Sequence, residues 1–330
     1  MSAVSFAITI APSLGPILGG ALSYTAGWKW IFWFLVTITG PSLALVILAL
    51  PETARSVVGN GSLQPPIYGR LPSLHPRFMC HWKHSRSSVS RGKRRMPNPL
   101  RSFAILLRRD NTVVILASAL MYTVYSCVIA SLSTLFIKIY GLNQWQAGLI
   151  YLPFGIGGTS STFISGPLLD WAYRKARSRH DTPGSSRRDD NIDEFPIERA
   201  RLSIMWAPVL ITMICIATYG WALHEQWHLS IPLALQFVMG FALQFNFSGF
   251  NTLISDINPA APSAANASTA VVRCALAALA VAYFEDIMQA INVGWTFTCI
   301  SGLCLVVLGL FLIEYHQGTV WRMKSLTWIC

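Results

Sequence analysis

Charge is scarce in this chain: only 12% of its 330 residues are Asp, Glu, Lys or Arg, about half the share usual in soluble domains, while 53% are hydrophobic. A surface so poor in solvated groups has lipid as its natural surroundings. Acidic residues are the scarcer sign, 14 against 25 Lys+Arg. The basic excess is no nucleic-acid footprint, because nearly all of it falls in two segments between apolar runs, where it reports membrane topology. CxxC spacing is missing among the seven cysteines, five of which lie inside apolar runs, so no disulfide framework is inferred. A metal site around His75, Cys80, His81 and His84 is conceivable, but the loop there is irregular and basic, and neither metal nor cofactor is expected. There is no HExxH, Ser-Lys pair or acidic dyad in the apolar runs, and no catalytic residue is expected. A cleavable leader is also missing: the first apolar run follows Met1 without a positive n-region and is longer than an h-region, so it reads as a span.

What the chain has instead is apolar length. A helical crossing needs roughly 20 apolar residues, since the hydrocarbon core is about 30 Å thick and each residue rises about 1.5 Å. Eight stretches qualify, predicting an all-α membrane protein: Ala3 to Tyr24, Trp28 to Leu50, Thr112 to Ile137, Gln146 to Leu169, Leu202 to Leu223, Leu229 to Ser255, Ala265 to Phe284 and Trp295 to Ile313. The short connections within successive pairs hold one basic residue, Lys138, with Lys29 at the very start of the second span, and are expected outside. The segment from Pro51 to Asp110 carries twelve Lys+Arg and that from Trp171 to Ala200 seven, which puts both in the cytosol. The first of these, proline-rich and poor in apolar residues, reads as a disordered linker.

Two motifs carry more than topology. Small residues recur every fourth position in the first span, at Ala3, Ala7, Ala11, Gly15, Gly19 and Ser23, making a smooth face for close helix packing. Within it Gly15, Pro16, Gly19 and Gly20 form GPxxGG, where the proline removes a backbone hydrogen bond and the glycines permit a hinge. At the cytosolic end of the fourth span stands GPLLDWAYRK, with Gly166, Asp170, Arg174 and Lys175. Asp170 beside Arg174 and Lys175 would make a charge cluster able to lock and release a cytosolic gate.

GPxxGG resembles the antiporter motif in the fifth helix of drug:proton antiporters of the major facilitator superfamily, with Ser2 and Ala11 in place of two further glycines. GPLLDWAYRK resembles that family's loop motif GxLxDxxGRK in the copy between helices eight and nine, with Tyr173 where the family has glycine. PETARSVVGNGS at 51–62, Arg273-Cys274 and VGWTFT at 293–298 are similar to the fungal quinidine-resistance and polyamine-exporter branch. The resemblance covers the whole chain and implies helices 5–12 of a twelve-helix fold. Residues 1–50 would be the last two helices of the N-terminal half, 51–110 the linker, and 111–330 the C-terminal six-helix half with loop 171–200. It also implies a plasma-membrane exporter exchanging small organic solutes, drug-like or polyamine-like, for protons. The first four helices would be missing, so that those helices or a full-length partner are required; the alternative is a non-transporting fragment.

Cavity candidates follow from polar stripes, because polar groups are costly against lipid and turn toward protein or water. Gln236, Gly240, Gln244, Phe247 and Asn251 share an arc of about 80° on the sixth span, and Ser118, Tyr122, Tyr125, Ser126 and Ser133 an arc of about 100° on the third. Tyrosines there suit an amphipathic or cationic solute through stacking and cation–π attraction. Arg273 lies roughly 12 Å into the seventh span with no acidic residue at matching depth, which marks it as functional unless it snorkels.

Overall fold

The computed structural model describes residues 2–49, 106–180, 197–258 and 261–327, all helices and short connections. Nearly all of the expected linker 51–110, and the middle of loop 171–200, lie outside the described residues. In chain order the helices are α1 (Ser2–Thr25), α2 (Lys29–Ala49), α3 (Arg109–Tyr140), α4 (Gln144–Leu149), α5 (Tyr151–His180), α6 (Ile197–His224), α7 (Ser230–Ile257) and α8 (Pro262–Thr327).

Five described stretches are long and apolar enough to cross a membrane: Lys29–Ile47, Asp110–Tyr140, Arg201–His224, Ser230–Ile257 and Pro262–Thr319. The last is long enough for two crossings. α1 and α5, also expected as spans, are helical but fall outside this set. Both replace large aliphatic residues with Gly, Ser, Thr and Pro, which lowers apolarity and lets backbones approach. The protein is an all-α, multi-pass membrane protein.

Contacts divide the chain into two units, Leu22–Pro97 and the remainder. In the first, α2 exposes its large apolar side chains, including Trp30, Trp33 and Leu45, as a lipid-facing helix does. Its Thr37, Thr39 and Ser42 hydroxyls donate to carbonyls one turn back, which hides them from lipid.

The larger unit is a bundle whose helix directions follow from its pairings. α3 starts beside the end of α7, where Asn111 and Asn258 exchange amide hydrogen bonds of 2.9 and 2.7 Å. At its other end Gly141 takes φ 65°, a left-handed cap that ends the helix, and Tyr140 donates to the Trp227 carbonyl between α6 and α7. α8 is two arms that meet at Asn292, whose φ of 66° is tolerable for asparagine. The first arm runs alongside α3, with Lys138 and Glu285 paired at 2.9 Å. The second returns along α6, from Gly294 against Trp221 and His224 to Tyr315, whose carbonyl accepts from Arg199. The expected loop between Phe284 and Trp295 is thus replaced by helix and a sharp turn at one residue.

Phe136, Tyr219, Phe250, Phe297 and Phe311 are fully buried at the centre, and Cys127, Cys215 and Cys304 pack among apolar neighbours as free thiols. Ile214, Val271, Leu279 and Leu305 point outward, an apolar exterior fit for acyl chains.

Candidate functional site

Between α1, α3, α5, α7 and the first arm of α8 lies a cavity of about 310 Å³. Glycines shape it. A Cβ at Gly240 of α7 would collide with the Phe154 carbonyl of α5, and one at Gly157 of α5 with the Phe237 carbonyl of α7. The two helices therefore cross backbone to backbone, closing one end of the cavity that Phe154, Gly155 and Gly158 border from α5.

α3 contributes Tyr122, Tyr125 and Ile129. The two tyrosine rings stack at 5.6 Å, and Phe247 of α7 meets Tyr125 edge-on at 5.7 Å. Arg273 enters from α8 with its guanidinium carbon 4.5 Å from the Tyr122 ring centroid. It borders the cavity. Gln244 and Asn251 complete the polar lining from α7.

Five of the seven expected cavity residues thus meet: Tyr122, Tyr125, Gln244, Asn251 and Arg273. Two do not. Ser126 is half-buried and turned about 70° from the centre of the arc through Tyr122, Tyr125 and Ile129. Gln236 shares the stripe of Gln244 but lies a turn beyond Gly240, past the crossing with α5, and is fully buried. Pro12 and Ser13 of α1, and the α5 glycines, were not singled out by the sequence; the run Gly155-Ile-Gly-Gly was the available signal.

The small-residue face of α1 is corrected. A Cβ at Gly15 or Gly19 would meet nothing within 4 Å among the described residues, whereas one at Gly20 would stand 2.8 Å from the Gln144 carbonyl. Reciprocally, a Cβ at Gly148 would stand 2.7 Å from the Pro16 carbonyl, and Ser13 packs on Gly155. Among the described residues the contact face is therefore Ser13, Pro16 and Gly20, roughly a third of a turn from the expected stripe. α1 stays helical through Pro12 and Pro16. Gly20→Leu should lower the thermal unfolding midpoint by an amount equivalent to about 2 kcal/mol, the cost of overpacking, and Gly15→Leu should leave it unchanged. Equal shifts in the two variants would contradict this packing.

At the end of the bundle expected in the cytosol, the partner of Asp170 is also corrected. Among the described residues Arg174 donates to the Asp170 backbone carbonyl, at 3.4 Å, and Lys175 stands over the Trp171 ring at 4.6 Å. The ionic partner is Arg201 of α6, 3.7 Å from Asp170 and 3.1 Å from Asp256 of α7. Arg201 also donates to the Leu169 carbonyl at 3.1 Å and lies 4.8 Å from the Tyr173 ring centroid. One buried guanidinium thus ties α5, α6 and α7 together, and Tyr173 lies against it. A Cβ at Gly166 would meet nothing within 4 Å among the described residues.

Residues 1–282 match the model of the Major Facilitator Superfamily. The chain is 29% identical over 320 residues to MFS-type transporter phiD of Fungal sp. (strain ATCC 74256), covering 96% of this chain and 49% of that protein. It is 33% identical over 324 residues to MFS-type transporter phiL of the same source, covering 91% and 77%. Citrate exporter 1 of Aspergillus niger is 29% identical over 325 residues, covering 95% of this chain and 60% of the exporter. The chain thus spans between half and two thirds of the length of most of the curated relatives it matches first.

Proposed function

The chain belongs to the Major Facilitator Superfamily, and on that premise we propose that it acts in the proton-coupled export of small organic molecules across a fungal plasma membrane. The observation that carries this is the cavity: polar side chains from α3, α7 and α8 converge on about 310 Å³ inside an otherwise apolar bundle. Lipid gives no reason to bury an arginine and two amides in one hollow, and a solute does.

In this reading α1 and α2 are helices five and six and the bundle from α3 onward is helices seven to twelve, with residues 51–110 and 171–200 in the cytosol. The GPxxGG helix, seated on α4 through Gly20 and Gly148 and on α5 through Ser13 and Gly155, borders the cavity and seals it against leakage, which favours exchange over open conduction. The Arg201 network is the inward gate. Four further helices complete the first half.

The test is uptake of a panel of small organic acids, amines and neutral solutes into proteoliposomes carrying a proton gradient. It compares this chain alone with the chain preceded by a four-helix segment from a longer relative such as Citrate exporter 1, of which this chain covers 60%. Gradient-dependent uptake by the fusion supports the transporter reading. Inactivity of a folded fusion toward every solute would leave the non-transporting fragment as the better account.

A further inference from the structure

The cavity holds one kind of charge. Among the described residues, Arg273 is the sole lining group with a full charge at neutral pH, and no carboxylate lines the cavity. The Tyr122 ring offsets part of that charge, yet the Arg273 Nε–H is buried and has no hydrogen-bond partner among the described residues. A buried donor on a cation is costly when left unmade, and a planar guanidinium fork is matched best by a carboxylate. A cationic solute would instead meet a like charge at low dielectric.

We propose that the cavity takes a singly charged organic acid with a planar ring, its carboxylate on the Arg273 guanidinium and its ring against Tyr125 and Phe247. This rests on the cavity being the solute site of the transport reading, and it turns that reading from polyamines toward monocarboxylates. One arginine balances one carboxylate. The two aromatic side chains, 5.7 Å apart and edge to face, offer one ring face and one ring edge for stacking. Size agrees: at about 30 Å³ per water-sized atom, 310 Å³ holds on the order of ten such atoms, the scale of a one- or two-ring acid.

The test is calorimetric titration of the 330-residue chain in nanodiscs with naphthoate, its uncharged amide, and naphthylmethylamine. Naphthoate should bind at least about tenfold tighter than the amine, with the amide between, since a charge-assisted hydrogen bond is lost and a repulsion gained. Arg273→Gln, with helicity and monodispersity unchanged, should level the three, and Arg273→Lys should keep part of the preference, having the charge without the fork. Amine binding as tight as naphthoate, or a preference that survives Arg273→Gln, overturns the acid assignment. In those cases the solute cavity itself stands, provided that Tyr125→Ala abolishes the binding seen. Failure of all three probes to bind the folded wild-type chain overturns the acid assignment and the cavity reading together.

Discussion

Asp256→Ala should destabilise the bundle by about 3 kcal/mol, and Asp170→Ala by less than about 1 kcal/mol, although the loop motif singles out Asp170. The difference lies in how the two carboxylates meet Arg201. Asp256 receives both Nε and Nη2, each at 3.1 Å, while Asp170 stands 3.7 Å from Nη1 with 70% of its side chain exposed. Arg201 itself keeps only 7% of its side chain exposed, so removing Asp256 leaves a buried cation with a distant, solvated counter-charge. Removing Asp170 leaves the guanidinium still bonded to Asp256 and the Leu169 carbonyl. The measurement is the unfolding midpoint of the purified protein in one detergent. Equal losses from the two variants would show that the network is held as a single unit.

The same asymmetry bears on the proposed gate. A contact worth under about 1 kcal/mol can part and re-form without unfolding anything, whereas one worth about 3 kcal/mol is a fixed strut. Asp170, two thirds of the way along α5, suits the first role and Asp256 the second. The tyrosine at 173 adds to the fixed part, because its ring lies against the guanidinium that a glycine would leave bare.

The periodicity of the chain made its helices legible, and so did the angular position of most cavity residues. Gln244, Asn251, Tyr122 and Tyr125 lie where a 100° rotation per residue puts them. Depth was less legible than angle, which is why Gln236 was expected in the cavity: nothing in the α7 sequence marks where α5 crosses it. Pairing across helices was least legible. Arg201 opens an apolar run 31 residues after Asp170, and only folding shows that α6 brings it beneath α5 and α7. For α1, the fourfold small-residue repeat was a genuine pattern, but Gly20, outside it, is the glycine that a neighbouring carbonyl requires.

A loss as large as that of Asp256→Ala, and one that reaches solute binding as well, is expected at the α5–α7 crossing. Gly240→Ala should lower the unfolding midpoint by an amount equivalent to about 3 kcal/mol and abolish solute binding, while Gly302→Ala and Gly309→Ala should be silent. A Cβ at Gly240 collides with the Phe154 carbonyl, backbone that cannot rotate away as a side-chain tip can, and so the helices must separate. Gly302 and Gly309 have open space among the described residues where a Cβ would stand. Separation reaches the site directly, because Phe154, Gly155 and Gly158 on one helix and Leu243, Gln244 and Phe247 on the other border the same cavity. It would shift Phe247 off Tyr125 and Tyr122, now 5.7 and 6.0 Å away, and move Gln244 out of the geometry that faces Arg273. Gly157→Ala, which meets the Phe237 carbonyl from the other side, should behave alike. The two together should cost less than the sum of their single effects, since helices already parted by one methyl accommodate the second. Full additivity, or a Gly240→Ala protein with wild-type stability and binding, would show that α5 and α7 do not cross backbone to backbone.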